Sequence, residues 1–322
     1  MSALAALAAA AAFPTPGAPR EATRLGEGAG HIHQTWRVDC AGGAVVLQRL
    51  NEAVFPDLDA VMANLAAVTA HLQAQLAGHP DAARRALALI PARAGGWLHR
   101  DSAGRAWRCT RFIPGARMPL EPAPAEEARA AAQALGRFLG QLSDLPAAAL
   151  REPLPGFHDT AARLQALERA AVEGCARDAA DALAFARSRA ALASALPALE
   201  LPLRPVHNDT KLANVLLDAA TGEGLCVLDL DTVMPGLAAT DFGDLARSAA
   251  FDGGEGDADI RLDLDRLRAL AEGYLEGAGG SLSPAERGAF GLGARVIAYE
   301  LGLRFLADHL AGDRYFGATE PG

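Results

Sequence analysis

The chain contains 322 residues, and its 51% hydrophobic content is enough for the core of one large domain or of two smaller ones. Its formal net charge of −9, with no basic run along the sequence, argues against a nucleic-acid or anionic-membrane surface, because both surfaces require clustered cations. The four cysteines are far apart and form no C-x-x-C pair, which argues against a zinc site, a redox couple or a disulfide framework. We therefore expect a cytoplasmic protein whose partner is a small molecule.

Residues 3–13 form an alanine-rich stretch that resembles the apolar region of a secretory signal. The stretch lacks a preceding basic segment and is too short to span a bilayer. We expect an alanine-rich helix or a frayed start at this position rather than a secretory signal.

The first third of the chain has the pattern of a strand meander around one helix. Residues 21–50 show apolar alternation on both sides of glycine clusters at 26–30 and 41–43, which predicts strands joined by turns. Residues 56–76 carry apolar side chains at near 3.6 spacing, which predicts a helix. A further pair of strands is expected around 101–104, and Pro114 followed by Gly115 predicts a hinge.

Helical patterns dominate from residue 121 onward. Proline-rich breaks at 153–155 and 197–205 interrupt them. Between 206 and 230 two short apolar runs are joined by turn-forming residues, which predicts a β-hairpin. Helices follow near 241–250, 261–275 and 283–310, so the sequence predicts an α+β fold with a small β-rich part and a larger, mainly helical part.

Polar residues stand at both ends of this hairpin. Asp209 precedes it, Asn214 follows five residues later, and Asp229 stands fifteen residues after Asn214 at the exit of the second run. Because a strand pair brings its ends together, we expect these side chains to lie close to one another. The oxygens of Asn214 and Asp229 suit a nucleotide-bound Mg²⁺, and the carboxylate of Asp209 can orient and deprotonate an attacking hydroxyl.

This spacing resembles that of a known enzyme group. His-x-Asp-x-Lys-x-x-Asn spans residues 207–214, and Asp229 follows. The pattern is similar to that of kinase-like phosphotransferases acting on small molecules, the aminoglycoside phosphotransferase and choline kinase group. The resemblance implies a two-lobed protein-kinase-like fold, with residues 1–113 as a nucleotide-binding N-lobe and residues 114–322 as a C-lobe that carries the catalytic hairpin and the substrate-binding helices.

The resemblance also assigns roles around the hairpin. Asp209 is expected to act as the base, and Asn214 and Asp229 to hold the Mg²⁺ that accompanies ATP. Asp231 is a further candidate, for a second metal or for the substrate. We interpret His207 as a hydrogen-bonded structural residue.

The string DFGD at 241–244 copies the letters of the protein-kinase metal motif, but it lies 27 residues after Asn214. We interpret Asp241, Asp244 and Arg247 as loop anchors and helix N-terminal residues rather than as metal ligands.

Lys211 is the only lysine of the chain. In the resembling enzymes, a lysine two residues after the base can reach the transferred phosphoryl group. An ammonium is a compact charge with rotatable donors, whereas a guanidinium is larger and planar. Lys211 is therefore a candidate catalytic residue, and the alternative is a solvated loop lysine.

The nucleotide side of the expected cleft has no lysine. Arg49 is the expected substitute for the usual strand lysine, because choline-kinase-like relatives often carry arginine there. The usual glutamate partner is missing from the following helix, which offers Asp57, Asp59 or Asn64 instead. The glycine loop from residue 26 to 35 would place backbone N–H groups against the ATP phosphates, and the hinge would bind adenine. The candidate nucleotide-binding residues are Gly28, Gly30, His31, Thr35, Arg49, Phe112 and Ile113.

Longer strings resemble a narrower family. GAGHIHQTWRV, VVLQRLNEAVF and LDLDTVMPGL look like segments of N-acetylhexosamine 1-kinases, although that family usually has Asn where this chain has His33. The likeness implies phosphorylation of the anomeric hydroxyl of N-acetylglucosamine or N-acetylgalactosamine. It also implies that Asp209, Arg304 and Tyr315 bind the sugar, with an i,i+4 pairing of Arg304 and Asp308 as the alternative.

Two other functions stay open. One is a kinase of another small alcohol, of the aminoglycoside, choline or homoserine type. The other is a catalytically inactive kinase-like binding module, against which the intact Asp209, Asn214 and Asp229 argue. No nucleic acid, membrane or protein partner is implied.

Overall fold

The computed structural model describes residues 3–26, 32–174, 178–253 and 259–316. Three of the candidate nucleotide-binding residues, Gly28, Gly30 and His31, lie outside these ranges. The expected α+β architecture is confirmed, with an antiparallel sheet in the N-terminal part and mainly helices in the C-terminal part.

The N-terminal sheet has the strand order β1-β2-β3-β6-β4, and β5 pairs with β6. The predicted meander is confirmed, since β1, β2 and β3 pair antiparallel in sequence order. The strands are β1 (Pro19–Leu25), β2 (Gln34–Cys40), β3 (Gly43–Arg49), β4 (Leu89–Ile90), β5 (His99–Arg100) and β6 (Ala106–Arg111), and the helices are α1 (Ala3–Ala10), α2 (Leu58–Gln75) and α3 (Ala82–Arg85).

The two faces of this sheet have different surroundings. Val45 and Leu47 of β3 are buried in an apolar cluster that contains residues of α1 and Phe13. Since side chains alternate along a strand, Val46 and Gln48 face the other side, where they line a cavity between the sheet and the C-terminal part. The alanine-rich start is therefore a helix that covers the outer face of the sheet, as expected.

Helix α2 begins where the apolar spacing predicted it. The Asp57 side chain caps the helix by accepting a hydrogen bond from the Ala60 N–H at 2.9 Å. Asn64 is buried on this helix, and its Nδ2 donates to the backbone carbonyls of Arg151 at 2.9 Å and Val233 at 3.0 Å. These bonds tie α2 to the C-terminal part of the chain.

The C-terminal part contains helices and short strand pairs. The predicted hairpin is formed by β9 and β10, and β7, just after the predicted hinge, pairs with β9. The lobe boundary between residues 113 and 114 stays a prediction. The helices are α4 (Ala125–Gln141), α5 (Thr160–Glu173), α6 (Ala180–Ser188), α7 (Leu192–Ala195), α8 (Ala238–Ala249), α9 (Leu264–Ala278), α10 (Pro284–Gly288) and α11 (Phe290–Ala311), and the strands are β7 (Ala116–Arg117), β8 (Arg204–Val206), β9 (Val215–Asp218), β10 (Gly224–Val227), β11 (Met234–Gly236), β12 (Phe251–Asp252) and β13 (Arg261–Leu262).

The glycine of the DFGD string serves helix packing. Helix α8 approaches α11 so closely that a Cβ atom on Gly243 would lie 2.5 Å from the carbonyl oxygen of Gly293. A Cβ atom on Gly293 would lie 1.9 Å from the carbonyl oxygen of Ala239. Side chains at these two positions would push the helices apart.

None of the helices in the described ranges combines the length and apolarity needed to cross a bilayer.

Candidate active site

The loop that carries Asp209 is fixed by hydrogen bonds to its backbone. The buried carboxylate of Asp241 accepts the backbone N–H groups of His207 at 2.8 Å and Asn208 at 2.7 Å. Asn208 has a left-handed φ of 64°, a conformation that asparagine tolerates better than most residues. Asp241 therefore anchors this loop, as predicted.

His207 is wholly buried and satisfied at both ring nitrogens. Its Nδ1 accepts the backbone N–H of Asp209 at 3.3 Å, and its Nε2 lies 2.8 Å from the carbonyl oxygen of Leu228, to which it donates. These two bonds link the Asp209 loop to the end of the hairpin. The predicted structural role of His207 agrees with these contacts.

Asp209 and Asn214, two of the three residues expected to lie close together, are in contact, and Lys211 joins them. The Lys211 ammonium is 2.9 Å from Oδ1 of Asp209. The Asn214 amide nitrogen donates to Oδ2 of Asp209 at 3.2 Å and to its backbone carbonyl at 2.8 Å. Burial alone would raise the pKa of Asp209, but the charge and hydrogen bond of Lys211, with smaller contributions from His207 and Asn214, hold it below its ordinary value. Asp209 is therefore an anion at neutral pH, able to accept a hydrogen bond from a hydroxyl.

Asp229 follows β10 in a left-handed conformation with a φ of 54°. The Leu228 N–H donates to the Asn214 carbonyl at 2.7 Å, which places Asn214 and Asp229 at the same end of the hairpin. The Asp229 residue is exposed to the cleft, but surrounding protein and the charges of Asp231 and Asp209 raise its pKa. Asp229 thus presents a carboxylate to the cleft with two further acidic residues nearby.

The donor set at this end of the hairpin suits an ion that arrives with a nucleotide. Because the amide nitrogen of Asn214 is turned toward Asp209, its oxygen is the atom left for a metal. Within the described ranges, no three His, Cys, Asp or Glu side chains form a metal cluster. Mg²⁺ is commonly bound by one or two carboxylates together with substrate phosphates and water. Asn214 and Asp229 fit that pattern.

Asp231 occupies a different environment from the one predicted for a metal ligand. It is buried, both of its oxygens are engaged by the Arg108 guanidinium, and Oδ2 also lies 2.7 Å from His33 Nε2. His33 Nδ1 accepts the backbone N–H of Asn51 at 3.1 Å. Burial is outweighed by Arg108 and His33, so the pKa of Asp231 lies well below its ordinary value. The metal role expected for Asp231 is therefore replaced by an ion pair.

The expected role of Arg49 as a phosphate contact is wrong, because its side chain lies on the other face of the sheet. It has the same strand parity as Val45 and Leu47, and it is paired with Trp107, another member of the outer cluster. Burial, followed by the charge of Arg105, lowers the pKa of Arg49.

Gln48 and Arg108 take the inner positions instead. Gln48 Oε1 accepts a hydrogen bond from Arg108 Nε at 2.8 Å, and Gln48 Nε2 donates to Thr35 Oγ1 at 3.1 Å. The cation on this side of the cleft thus comes from β6, not from β3. The sequence contained a signal for this arrangement, since Ala106, Arg108 and Thr110 alternate with Trp107 and Cys109.

A cavity of about 220 Å³ lies between the sheet and the hairpin. Thr35, Phe112 and Ile113, three of the candidate nucleotide-binding residues, line it, together with Asp229 at its inner end. Phe112 is also covered by the Arg37 guanidinium at 4.7 Å from the ring centre. The predicted hinge and the predicted metal end of the hairpin thus border one cavity.

A second cavity, of about 650 Å³, opens beside Lys211. Lys211 and Arg247 line it together with Phe305 of α11, and Glu121 lies at its exposed edge. Arg247 is paired with Asp244, which its Nη2 reaches at 2.8 Å. Among the described residues, the lining therefore has two cationic side chains and one anionic side chain.

Arg304 and Tyr315 lie near this cavity but do not line it. The Arg304 guanidinium is 5.8 Å from the ring centre of Tyr315 and 5.4 Å from that of Phe316. Phe316 packs on Phe305, with ring centres 4.3 Å apart. Asp308 accepts the backbone N–H groups of residues 314–316, so its carboxylate organises this segment rather than pairing with Arg304.

Comparison with known proteins agrees with this geometry. The profile described as Phosphotransferase enzyme family matches residues 8–279. The chain belongs to the phosphotransferase enzyme family. Membership of this family supports a phosphotransferase function for the chain.

Solved structures of similar proteins share the fold. The spectinomycin phosphotransferase APH(9)-Ia, in complex with ADP and spectinomycin, is 12% identical and has a TM-score of 0.60, with coverage of 99% of this chain and 91% of that one. A choline/ethanolamine kinase family protein from Mesorhizobium loti is 23% identical with a TM-score of 0.58, covering 98% and 88%. The amicoumacin kinase hAmiN, in complex with AMP-PNP and Ca²⁺, is 13% identical with a TM-score of 0.55, covering 99% and 96%.

The contact between Lys211 and Asp209 leads to a prediction about the only lysine. We expect Lys211→Arg to lower kcat about tenfold, or ~1.4 kcal/mol in the barrier, because a planar guanidinium would bind both oxygens of Asp209 and withdraw its charge from the phosphates. Steady-state kinetics with saturating ATP measures this change. The matched control is Arg100→Lys at an exposed ion pair with Glu52, where little change is expected. Unchanged kcat in Lys211→Arg would mean that this lysine is a solvated loop residue.

Proposed function

We propose that the protein is an ATP-dependent sugar 1-kinase that phosphorylates the anomeric hydroxyl of an N-acetylhexosamine. The catalytic part of this proposal rests on the anionic Asp209 held between Lys211 and Asn214. The choice of acceptor rests on the likeness of the longer sequence strings to N-acetylhexosamine 1-kinases. It also rests on the charge of the cavity beside Lys211.

The lining of that cavity favours an acceptor without positive charge. Lys211 and Arg247 contribute cations, the carboxylates of Asp209 and Asp244 are each paired with one of these cations, and Glu121 lies at the exposed edge. An aminoglycoside or choline would bring further positive charge to this surface, where the described part of the chain offers no unpaired buried carboxylate to meet it. A neutral sugar avoids that repulsion, and Phe305 in the lining provides an aromatic surface for it.

The proposed reaction assigns a separate task to each residue. Asp209 accepts a hydrogen bond from the acceptor hydroxyl and orients its oxygen for in-line attack on the γ-phosphate. A carboxylate with a low pKa is a weak base, which suits a loose transition state in which the hydroxyl loses its proton late. Asn214 holds the Asp209 side chain by a hydrogen bond. The Lys211 ammonium, which contacts Asp209, also interacts with the transferred phosphoryl group. Asn214 and Asp229 would hold Mg²⁺, which neutralises charge on the phosphates when bound.

An acceptor panel tests this proposal. We expect N-acetylglucosamine or N-acetylgalactosamine to give a kcat/KM at least about 100-fold above that of an aminoglycoside, choline or homoserine, or ~2.7 kcal/mol. ADP release measures the rate, and phosphorus NMR identifies the phosphorylated position. Phosphorylation at a non-anomeric position, or preference for a cationic alcohol, would refute the sugar 1-kinase assignment while leaving phosphotransfer intact. If none of the acceptors in the panel gives ADP release, the protein is inactive or acts on a different substrate.

A further inference from the structure

The Arg108 side chain is a buried cation at the metal end of the nucleotide cavity. It is 3% exposed, and both of its terminal nitrogens donate to the carboxylate of Asp231, one of them at 2.8 Å. Its Nε donates to Gln48 Oε1 at 2.8 Å. Arg108 is therefore held in one orientation by the strand beside it and by the C-terminal segment in front of it.

The burial of this pair indicates a purpose other than stability. A buried ion pair loses the hydration of both charges, and an apolar pair of similar size is often as stable or more stable. Such a pair is best explained by the geometry that it enforces. Here the enforced geometry belongs to the short turn after β10, because Asp231 stands two residues after Asp229.

Two further contacts from the N-terminal part reach the same turn. His33 binds Asp231 Oδ2, and Asn64 of α2 donates to the carbonyl of Val233. Side chains from the start of β2, from α2 and from β6 thus converge on residues 231–233. Asp229 itself, immediately before them, has a left-handed backbone that aspartate adopts uncommonly, so its direction depends on how the turn is held.

We propose that Arg108 is a positioning residue for phosphoryl transfer, which acts through Asp231 to fix the turn that points Asp229 at the metal. It supplies from β6 a cation for the inner face of the sheet, since Arg49 of β3 lies on the other face and no lysine precedes residue 211. Three of the five N–H groups of Arg108 bind Asp231 and Gln48, so the proposed action is on the turn that carries the metal ligand and not on the phosphates. The inference rests on the proposed metal role of Asp229 and not on the identity of the acceptor.

Metal affinity tests this inference without relying on turnover. We expect Arg108→Met to weaken Mn²⁺ binding in the presence of AMP-PNP by roughly 10- to 100-fold, the usual cost of losing a residue that orients a metal ligand. Electron paramagnetic resonance of Mn²⁺ measures that affinity, and calorimetry measures the affinity for AMP-PNP without metal, which we expect to change less than about twofold. Asp231→Asn, which removes the other half of the pair, should give the same pattern.

Control variants separate positioning from folding and from direct contact. Arg108→Lys keeps a cation at the site, so it should retain more Mn²⁺ affinity than Arg108→Met. It also provides the test if Arg108→Met does not fold. Arg100→Met removes an exposed ion pair of the same sheet and should leave Mn²⁺ affinity unchanged. An equal loss of metal-free AMP-PNP binding would overturn the inference in favour of a direct phosphate contact. Unchanged Mn²⁺ affinity in Asp231→Asn would overturn it in favour of a purely structural pair.

None of these readouts depends on the sugar. If the acceptor panel fails and the Mn²⁺ results appear as expected, the sugar 1-kinase proposal falls and the role of Arg108 stands. If the sugar is phosphorylated and the substitution of Arg108 leaves Mn²⁺ affinity unchanged, the sugar 1-kinase proposal stands and the role of Arg108 falls.

Discussion

Asp209→Asn is expected to lower kcat by roughly 10²- to 10⁴-fold, the usual contribution of a positioned acid–base group. Asparagine keeps the shape of the side chain and can still accept one hydrogen bond, but it carries no charge to orient or deprotonate the hydroxyl. The affinity for Mg–ATP should change little, because Asp229 and Asn214 are retained. Steady-state kinetics and calorimetric titration of Mg²⁺ with AMP-PNP measure the two quantities.

The chain offers a matched control for this change. Asp218 stands at the opposite end of the same hairpin and pairs with Arg84 at 2.7 Å, away from the cleft. Asp218→Asn removes a carboxylate from the same element and should leave kcat near that of the original protein. Near-original turnover in Asp209→Asn would remove Asp209 from the catalytic role, and an equal loss in both variants would point to damage of the hairpin instead.

Much of the fold could be predicted because the decisive signals are local. The hairpin at β9 and β10 is marked by two short apolar runs with turn chemistry between them, and its pairing places Asn214 and Asp229 at the same end. The capped helix α2 follows from apolar residues at helical spacing after Asp57. These features depend on neighbours along the chain, so their placement did not require the rest of the molecule.

The orientation of β3 could not be predicted in the same way. Val45, Val46 and Leu47 are all apolar, so the alternation that tells one face from the other is hidden. A shift of one residue exchanges the two faces of a strand, and this exchange separates Arg49 from Gln48. The correct face is set by contact with α1 on one side and by pairing with β6, about sixty residues later, on the other.

The two aspartates of LDLD show a second limit of sequence patterns. Asp229 and Asp231 have the same type, the same spacing from neighbouring apolar residues and the same strand ahead of them. Their environments differ because Arg108 and His33, from distant segments, bind only the second of the pair among the described residues. A carboxylate left for a metal cannot be told from one held by cations until those partners are placed.

Asp229→Asn is expected to cause the largest loss, lowering kcat by about 10³-fold or more, because a metal ion contributes several kcal/mol of charge stabilisation in phosphoryl transfer. Asparagine keeps one oxygen but loses the charge, so Mn²⁺ affinity in the presence of AMP-PNP should fall as well. This pattern differs from that of Asp209→Asn, in which turnover falls and metal binding remains. The same resonance and kinetic measurements distinguish the two variants.

The thermal stability of the metal-free protein should stay the same or rise in Asp229→Asn, although its turnover falls. Surrounding protein and the charges of Asp231 and Asp209 raise the pKa of Asp229, so its ionised form is less favourable in the folded chain than in the unfolded chain at neutral pH. A neutral asparagine removes that cost, and the metal-free variant should therefore melt at the same or a higher temperature than the original protein. Such a gain on loss of a charged active-site group reflects the trade-off between stability and activity. A variant that melts earlier while retaining Mn²⁺ affinity would contradict the metal role of Asp229 and support a structural one.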